Sequence, residues 1–230
     1  MPKKLSDLIR RIKQSHWLEK DLDEFLEKSR NKDRFPSEYF HPSSIGECNR
    51  EIQYNMMGIP TEDRLSGANI RVLDQGLYTE KKYHDYFNSM GILVSYQQVV
   101  LIQSPPIKGT CDFVIKNPDS GELFLIELKT RREEVARIKW EDLNNPYSQH
   151  KIQWQLYAKG LNMVNGMIIY ENKNRQALKI FDMVLDEEFV QKIFYRLLSI
   201  QKAISLEYTI GKPSICSNFF CNYKEKCSRE

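Results

Sequence analysis

Apolar positions recur along this chain with two different periods, and the change from one to the other marks its elements. Leu5, Leu8, Ile9, Ile12, Leu18, Leu22, Phe25 and Leu26 fall at helical spacing among many charges. They predict one or two surface helices with Arg10, Arg11 and Lys13 outward. A charged linker over residues 30–34 leads to Pro36. Pro42 followed by Ser43 and Ser44 signals a second helix, continued by Ile52, Met56 and Met57 and stopped by Gly58 and Pro60. A third helix over 70–90 carries Leu73, Leu77, Glu80, His84 and Phe87 on one face. The period then shortens. Residues 92–102 form a β-rich run, and two apolar runs flank Pro118-Asp119-Ser120-Gly121, which predicts a β-hairpin over 109–130. A helix over 148–161, strands over 167–170 and 178–184, and a long amphipathic helix over 187–205 complete the pattern. The last helix turns Phe189, Ile193, Leu197, Ile200 and Ile204 inward.

With 230 residues the chain has room for one domain or one and a half. A net charge of +3 and a pI near 8.5 allow a nucleic-acid partner without demanding one. No apolar run approaches the roughly 20 residues that span a bilayer, and the first residues lack the apolar core of a signal peptide. A soluble cytoplasmic protein without a membrane partner is expected. Five cysteines in a reducing compartment then point to metal ligation or buried thiols rather than disulfides.

The hairpin holds the densest chemistry. If Asn117 pairs with Glu122 across the turn, Asp112 falls opposite Glu127, and Glu127 shares a face with Lys129 while Leu128 points the other way. Two carboxylates so placed raise each other's pKa, and a divalent cation, magnesium or manganese, relieves them. Lys129 is suited to orient or deprotonate a water, or to hold charge building on a phosphate. An acid and an imidazole in an apolar stripe are expensive without partners, so Glu80 and His84 are further ligand candidates; a hydrogen-bonded core histidine or a buried ion pair is the plainer reading. Gln149, Gln153 and Tyr157 form a polar seam able to bond a water, a base edge or a phosphate. Arg50, Arg131 and Arg132 are candidate phosphate contacts, the last two opening a basic run with Arg137 and Lys139. Cys48 sits in the first turns of the second helix, where the helix dipole favours a thiolate. With Cys216, Cys221 and Cys227 of the tail it completes four thiolates, a set for zinc or for a [4Fe–4S] cluster. Cys111 reads as a packed core residue.

Together these residues resemble the PD-(D/E)XK nuclease superfamily, in its RecB-like four-cysteine branch, which includes CRISPR-associated RecB-like nucleases and phage relatives. The likeness spans roughly residues 42–227. It rests on Cys48-Asn49-Arg50, Gly76 followed by Glu80, Gly109-Thr110-Cys111-Asp112, Glu127-Leu128-Lys129, Gln153 with Tyr157, and the three tail cysteines. The resemblance implies an α/β fold: a central mixed β-sheet flanked by helices, a restriction-endonuclease-like core with a helical N-terminal part and a cysteine-ligated tail. The expected division is 1–69, a helical region giving one cysteine; 70–185, the nuclease core; and 186–230, the C-terminal helix and cluster-binding tail.

By the same resemblance Asp112 and Glu127 are metal ligands, Lys129 is the catalytic lysine, and Gln153 and Tyr157 match an extra motif near the active site. A structural [4Fe–4S] cluster is implied at Cys48, Cys216, Cys221 and Cys227. The implied activity is metal-dependent hydrolysis of DNA phosphodiester bonds on single strands or free ends, with protein partners in repair, recombination, phage replication or CRISPR adaptation. Two positions depart from the family pattern. Glu80 stands where many members carry histidine, with His84 one turn on, and four residues rather than two or three separate Cys216 from Cys221. Two other readings stay open, a non-enzymatic DNA-binding or assembly subunit and a zinc-tailed restriction-type endonuclease.

Overall fold

The computed structural model describes residues 17–31, 35–46, 48–61, 65–135, 138–212, 221 and 223–229. The first part of the expected N-terminal helix with Arg10, Arg11 and Lys13 lies outside them, as do Arg137 and Cys216. In chain order the elements are α1 (Trp17–Arg30), α2 (Asn49–Met56), α3 (Gly67–Ser89), β1 (Leu93–Ile102), β2 (Ile107–Lys116), β3 (Leu123–Arg131), β4 (Glu134–Val135), β5 (Ile138–Lys139), α4 (Ser148–Leu161), β6 (Asn165–Asn172), β7 (Leu178–Val184), α5 (Glu187–Ser205) and α6 (Lys224–Arg229).

Five strands form one mixed sheet in the order β1-β2-β3-β6-β7. Every neighbouring pair is antiparallel except β3 and β6, which run parallel. A parallel neighbour cannot be reached by a tight turn, and α4 supplies the crossover. The Asn117–Glu122 turn closes as expected: Asn117 N–H donates to the Glu122 carbonyl at 2.8 Å, and Gly121 takes φ 75°, which glycine adopts without strain.

Helices cover both faces. Leu125, Val114, Ile168 and Tyr170 pack under α4 against Trp154, Tyr157 and Ala158. Phe113, Ile126, Leu128 and Ile169 pack on the opposite face against Tyr83 and Phe87 of α3. Leu128 therefore points away from its neighbours Glu127 and Lys129, as strand alternation requires. The far side of α4 meets α5 through Leu156, Ile193, Leu197 and Ile200, with Phe40, Ile45 and Ile52 closing that core. Gly166 is where only glycine fits: a Cβ there would stand 2.0 Å from the Leu125 carbonyl oxygen and 2.8 Å from the Trp154 ring. That closeness lets Trp154 Nε1 donate to the same carbonyl at 3.1 Å.

The face of α3 differs from the one expected. Ile70, Thr79, Tyr83 and Phe87 are its buried side, whereas Leu73 and Leu77 are more than half exposed. The helix is rolled so that the aromatic pair Tyr83 and Phe87, rather than the leucines, fills the space above Phe113. Lys82 fixes that roll by donating to both carboxylate oxygens of buried Glu171 on β6, each at 2.8 Å. On its outer side α3 is joined to α1 by ion pairs, Arg30 with Asp74 at 2.5 Å and Arg71 with Asp23. Among the described residues no helix is long and apolar enough to cross a membrane.

Candidate active site

Ladder pairs in the hairpin run from Lys116↔Leu123 to Phe113↔Ile126. The next position in that register sets Asp112 opposite Glu127, as the turn count predicts. There the ladder stops, and Asp112 Oδ2 accepts the backbone N–H of Leu128 at 2.7 Å in place of a strand carbonyl. Glu127 is 1% exposed. Its Oε1 accepts from Lys129 Nζ at 2.5 Å, while its Oε2 has no hydrogen-bond partner among the described residues.

The electrostatics follow from that crowding. Burial first, and then the Glu127 charge, holds the Asp112 carboxyl well above its ordinary range. Burial also raises Glu127, against the pull of the Lys129 ammonium. For Lys129 burial works against the charged form, but the Glu127 and Asp112 carboxylates outweigh it and the net shift is upward. A buried carboxylate with one oxygen unsatisfied lacks positive charge on that side. An oxygen-liganded divalent ion supplies it, so the donor set fits such an ion at Asp112 and Glu127.

The remaining expected residues lie as follows. Glu80 Oε1 accepts from Gln97 Nε2 at 3.0 Å, and its charge reaches both carboxylates. Gln97 holds φ 49° inside β1, a left-handed conformation rare for a residue with a side chain. His84 packs on Tyr96 at 4.7 Å between ring centroids and meets Asp85 Oδ1 at 3.0 Å. Glu80 and His84 both line a surface cavity of about 560 Å³ with Tyr96 and Gln97. They do not lie in an apolar stripe, because α3 is rolled. Among the described residues no three His, Cys, Asp or Glu side chains are grouped closely enough to hold a metal ion. Asp112 and Glu127 thus stand as a pair.

Gln153 and Tyr157 are buried on the sheet-facing side of α4, with Gln153 Nε2 donating to Tyr157 Oη at 3.2 Å. Burial and the Glu127 charge raise the Tyr157 pKa, so the phenol keeps its proton. Gly109 makes room for this ring: a Cβ there would meet Tyr157 Cε1 at 2.9 Å and Pro42 Cδ at 3.0 Å. Arg131 is 3% exposed, stacked near Trp140 and Tyr147, with Nε donating to Tyr147 Oη at 2.8 Å and Nη2 to the Ile138 carbonyl. Arg132 is exposed. Arg50 is buried rather than exposed, with Nε donating to Tyr54 Oη at 2.9 Å.

Arg50 instead lines a cavity of about 210 Å³ whose walls include Cys48, Cys221 and Cys227. Cys48 caps α2, its Sγ accepting the Glu51 N–H at 3.3 Å. Tyr54 and Tyr223 pack edge to face beside it at 5.1 Å. Burial pushes the Cys221 thiol up to about 12, with the nearby Glu51 charge adding to the shift. A soft cation would remove that proton; the three thiols share one cavity but, as placed, do not stand closely enough together to form a ligand set. Cys111 is buried in the core, burial and the Glu127 charge raising its thiol to about 12.

Sequence reasoning missed His150. Its Nδ1 lies 2.7 Å from Tyr170 Oη, and burial, then the Lys129 charge, pushes its pKa down to about 3. The tyrosine oxygen already accepts the Tyr147 N–H at 3.1 Å, so its proton is available to a neutral imidazole. A histidine in the first turn of a helix opened by Asn145-Pro146 carries no periodic signal that could have marked it.

No known family profile matches the chain. A CRISPR-associated exonuclease Cas4 from Saccharolobus solfataricus is 29% identical over 97 residues, 42% of this chain and 44% of that protein. The chain thus matches less than half the length of that relative. The crystal structure of SSO0001 superposes with a TM-score of 0.52 at 20% identity, over 92% of this chain and 94% of that one. An alkaline exonuclease, LHK-Exo from Laribacter hongkongensis, reaches a TM-score of 0.52 at 9% identity over 80% and 93% of the two chains. Its complex with dAMP reaches 0.51 at 9% identity over 82% and 93%. These likenesses show the fold, a mixed five-stranded sheet flanked by helices of the kind that an alkaline exonuclease also has.

Proposed function

We propose that the chain is a divalent-metal-dependent DNA nuclease of the PD-(D/E)XK superfamily, hydrolysing phosphodiester bonds at single strands or free ends. The observation that carries the reading is Oε2 of buried Glu127, which has no hydrogen-bond partner among the described residues, beside Asp112 and Lys129. A site built only for stability has no use for a buried carboxylate short of one cation. Asp112 and Glu127 would hold magnesium or manganese, with Glu80 or His84 joining by giving up Gln97 or Asp85. When bound, the ion supplies Lewis-acid stabilisation of a phosphate oxygen and a water of lowered pKa.

The chain's own groups do the rest. Lys129 remains an ammonium at neutral pH and offers its charge to phosphate oxygens as they gain negative charge. Tyr157, kept protonated within reach of the Glu127 and Asp112 charges and receiving Gln153, holds the geometry beside the carboxylates. The sheet and α4 exclude bulk water from Glu127, which strengthens each of these interactions.

We further assign Cys48, Cys216, Cys221 and Cys227 to a structural [4Fe–4S] cluster, with zinc as the alternative occupant, tying the C-terminal tail to α2. The ligation would contribute folding free energy in a part of the chain with only a small apolar core. The activity is tested by incubating labelled single- and double-stranded DNA with wild type and Lys129→Ala, with and without manganese. Metal-dependent cleavage by wild type and a loss of at least about 100-fold in the variant are expected. Metal-dependent cleavage that is equal in the two proteins overturns the assignment of Lys129, and no cleavage by wild type favours a DNA-binding subunit.

A further inference from the structure

Beyond the carboxylates, a third cavity of about 600 Å³ opens where β3 and β6 end beside the first turn of α4. Its walls include Arg131, Arg132, Lys173, Gln149 and His150, with Glu134 as the opposing charge. Ligands of open α/β sheets gather outside the carboxyl ends of parallel strands, and β3 and β6 are the parallel pair. The cavity also lies at a helix N-terminus, which favours anions.

An independent observation singles out this cavity. Arg131 is almost fully buried, two of its nitrogens are bonded, and Nη1 has no hydrogen-bond partner among the described residues. A buried guanidinium N–H left unpaired is costly, and the guanidinium is always charged. Lys173 shows the same shortage of negative charge: burial and then the Arg132 charge lower its pKa, and among the described residues Nζ finds only the Val72 carbonyl at 3.2 Å. His150, held neutral, adds a hydrogen-bonding edge and no repulsion to a bound anion.

Resting on the nuclease reading above, we propose that this cavity is a phosphate subsite, taking the substrate phosphate next to the one being cleaved. Arg131 lies two residues beyond Lys129 on the same strand face, about 6.6 Å along β3. That separation suits consecutive phosphates of an extended strand. Arg131 Nη1 and Lys173 would bind the phosphate oxygens, and Arg132 would screen its charge from Glu134.

The test is fluorescence anisotropy of short single-stranded oligonucleotides, 5′-phosphorylated or 5′-hydroxylated, without added divalent metal. It compares wild type with Arg132→Gln, Lys173→Gln and Lys192→Gln; the last removes one exposed charge on α5, outside the cavity. Arg132→Gln and Lys173→Gln are expected to weaken binding about 5- to 10-fold each and to lower the salt slope by about one, with Lys192→Gln unchanged. A loss confined to the 5′-phosphorylated strand assigns the subsite to a terminal phosphate, and an equal loss on both assigns it to an internal diester. Binding unchanged in both cavity variants, or weakened equally by Lys192→Gln, overturns the subsite. Because no turnover is read, failure of the nuclease reading shows separately, as wild type that binds but does not cleave when manganese is added.

Discussion

Asp112 Oδ2 accepts the backbone N–H of Leu128 at 2.7 Å, one position beyond the last paired residues of the hairpin. A side chain thereby takes the acceptor role of a strand carbonyl, which fixes the Asp112 carboxylate against Glu127. Asp112→Asn keeps an acceptor for Leu128 and removes the like charge. The metal-free variant is expected to be more stable than wild type by about 1–2 kcal/mol at pH 7. Manganese at about 100 times its dissociation constant should stabilise wild type by about 2.7 kcal/mol and leave the variant almost unmoved. Melting curves with and without manganese check both statements, and an equal manganese shift in the two proteins contradicts them.

Lys129 is the only described partner of Glu127 Oε1. Lys129→Ala strands a buried carboxylate and is expected to destabilise the fold by about 3 kcal/mol. Adding Glu127→Gln to that variant should restore most of the loss without restoring any cleavage. Urea denaturation of the single and double variants measures the first effect, and a nuclease assay measures the second.

His150 sets an acid-side limit on stability. Its pKa is pushed down to about 3 by burial and by the Lys129 charge, against 6.5 unfolded. The unfolded chain therefore binds a proton that the folded chain refuses as pH falls below about 6.5. Between there and pH 3 this residue removes about 1.4 kcal/mol per pH unit. Asp112 and Glu127, whose carboxyls are raised, act in the opposite direction and gain stability for the fold on acidification. His150→Gln isolates the effect: the pH dependence of its unfolding free energy should be shallower than that of wild type between pH 6 and 4. Parallel profiles would remove His150 from the account.

Gly76 lies within α3 with no crowding: an added Cβ would find only Thr130 Oγ1, at 4.0 Å. Gly76→Ala is expected to stabilise the helix by up to about 1 kcal/mol. Thr130 lines the proposed phosphate cavity, so the same methyl should weaken DNA binding while it raises the melting temperature. A rise in both would mean that this face of the helix stays clear of the bound strand.

The hairpin register was legible because it is local: Asn117, the turn after it and alternation along nine residues place Asp112 against Glu127 without reference to the rest of the chain. Helices α4 and α5 were legible for a similar reason: Asn145-Pro146 precedes α4 and left-handed Asn162 ends it, while Asp186 caps α5 ahead of its periodic apolar residues. The roll of α3 was not. Leu73 and Leu77 match Ile70 and Tyr83 in apolar character, Phe87 fits either face, and the choice is made by Phe113 below and by the Lys82–Glu171 pair, both distant in sequence. The burial of Arg50 and Arg131 escaped for the same reason: a charged residue reads as exposed until Tyr54, Trp140 and Tyr147 are seen to stack on it. Gln153 and Tyr157 were visible as a seam, but only the tertiary structure turns that seam toward Glu127.

The most direct measurement is the single-turnover cleavage rate of end-labelled single-stranded DNA against manganese concentration, for wild type and Glu127→Gln. Saturable, metal-dependent cleavage by wild type, reduced at least about 100-fold at every manganese concentration in the variant, is the expected result. Cleavage by Glu127→Gln at the wild-type rate would contradict the account.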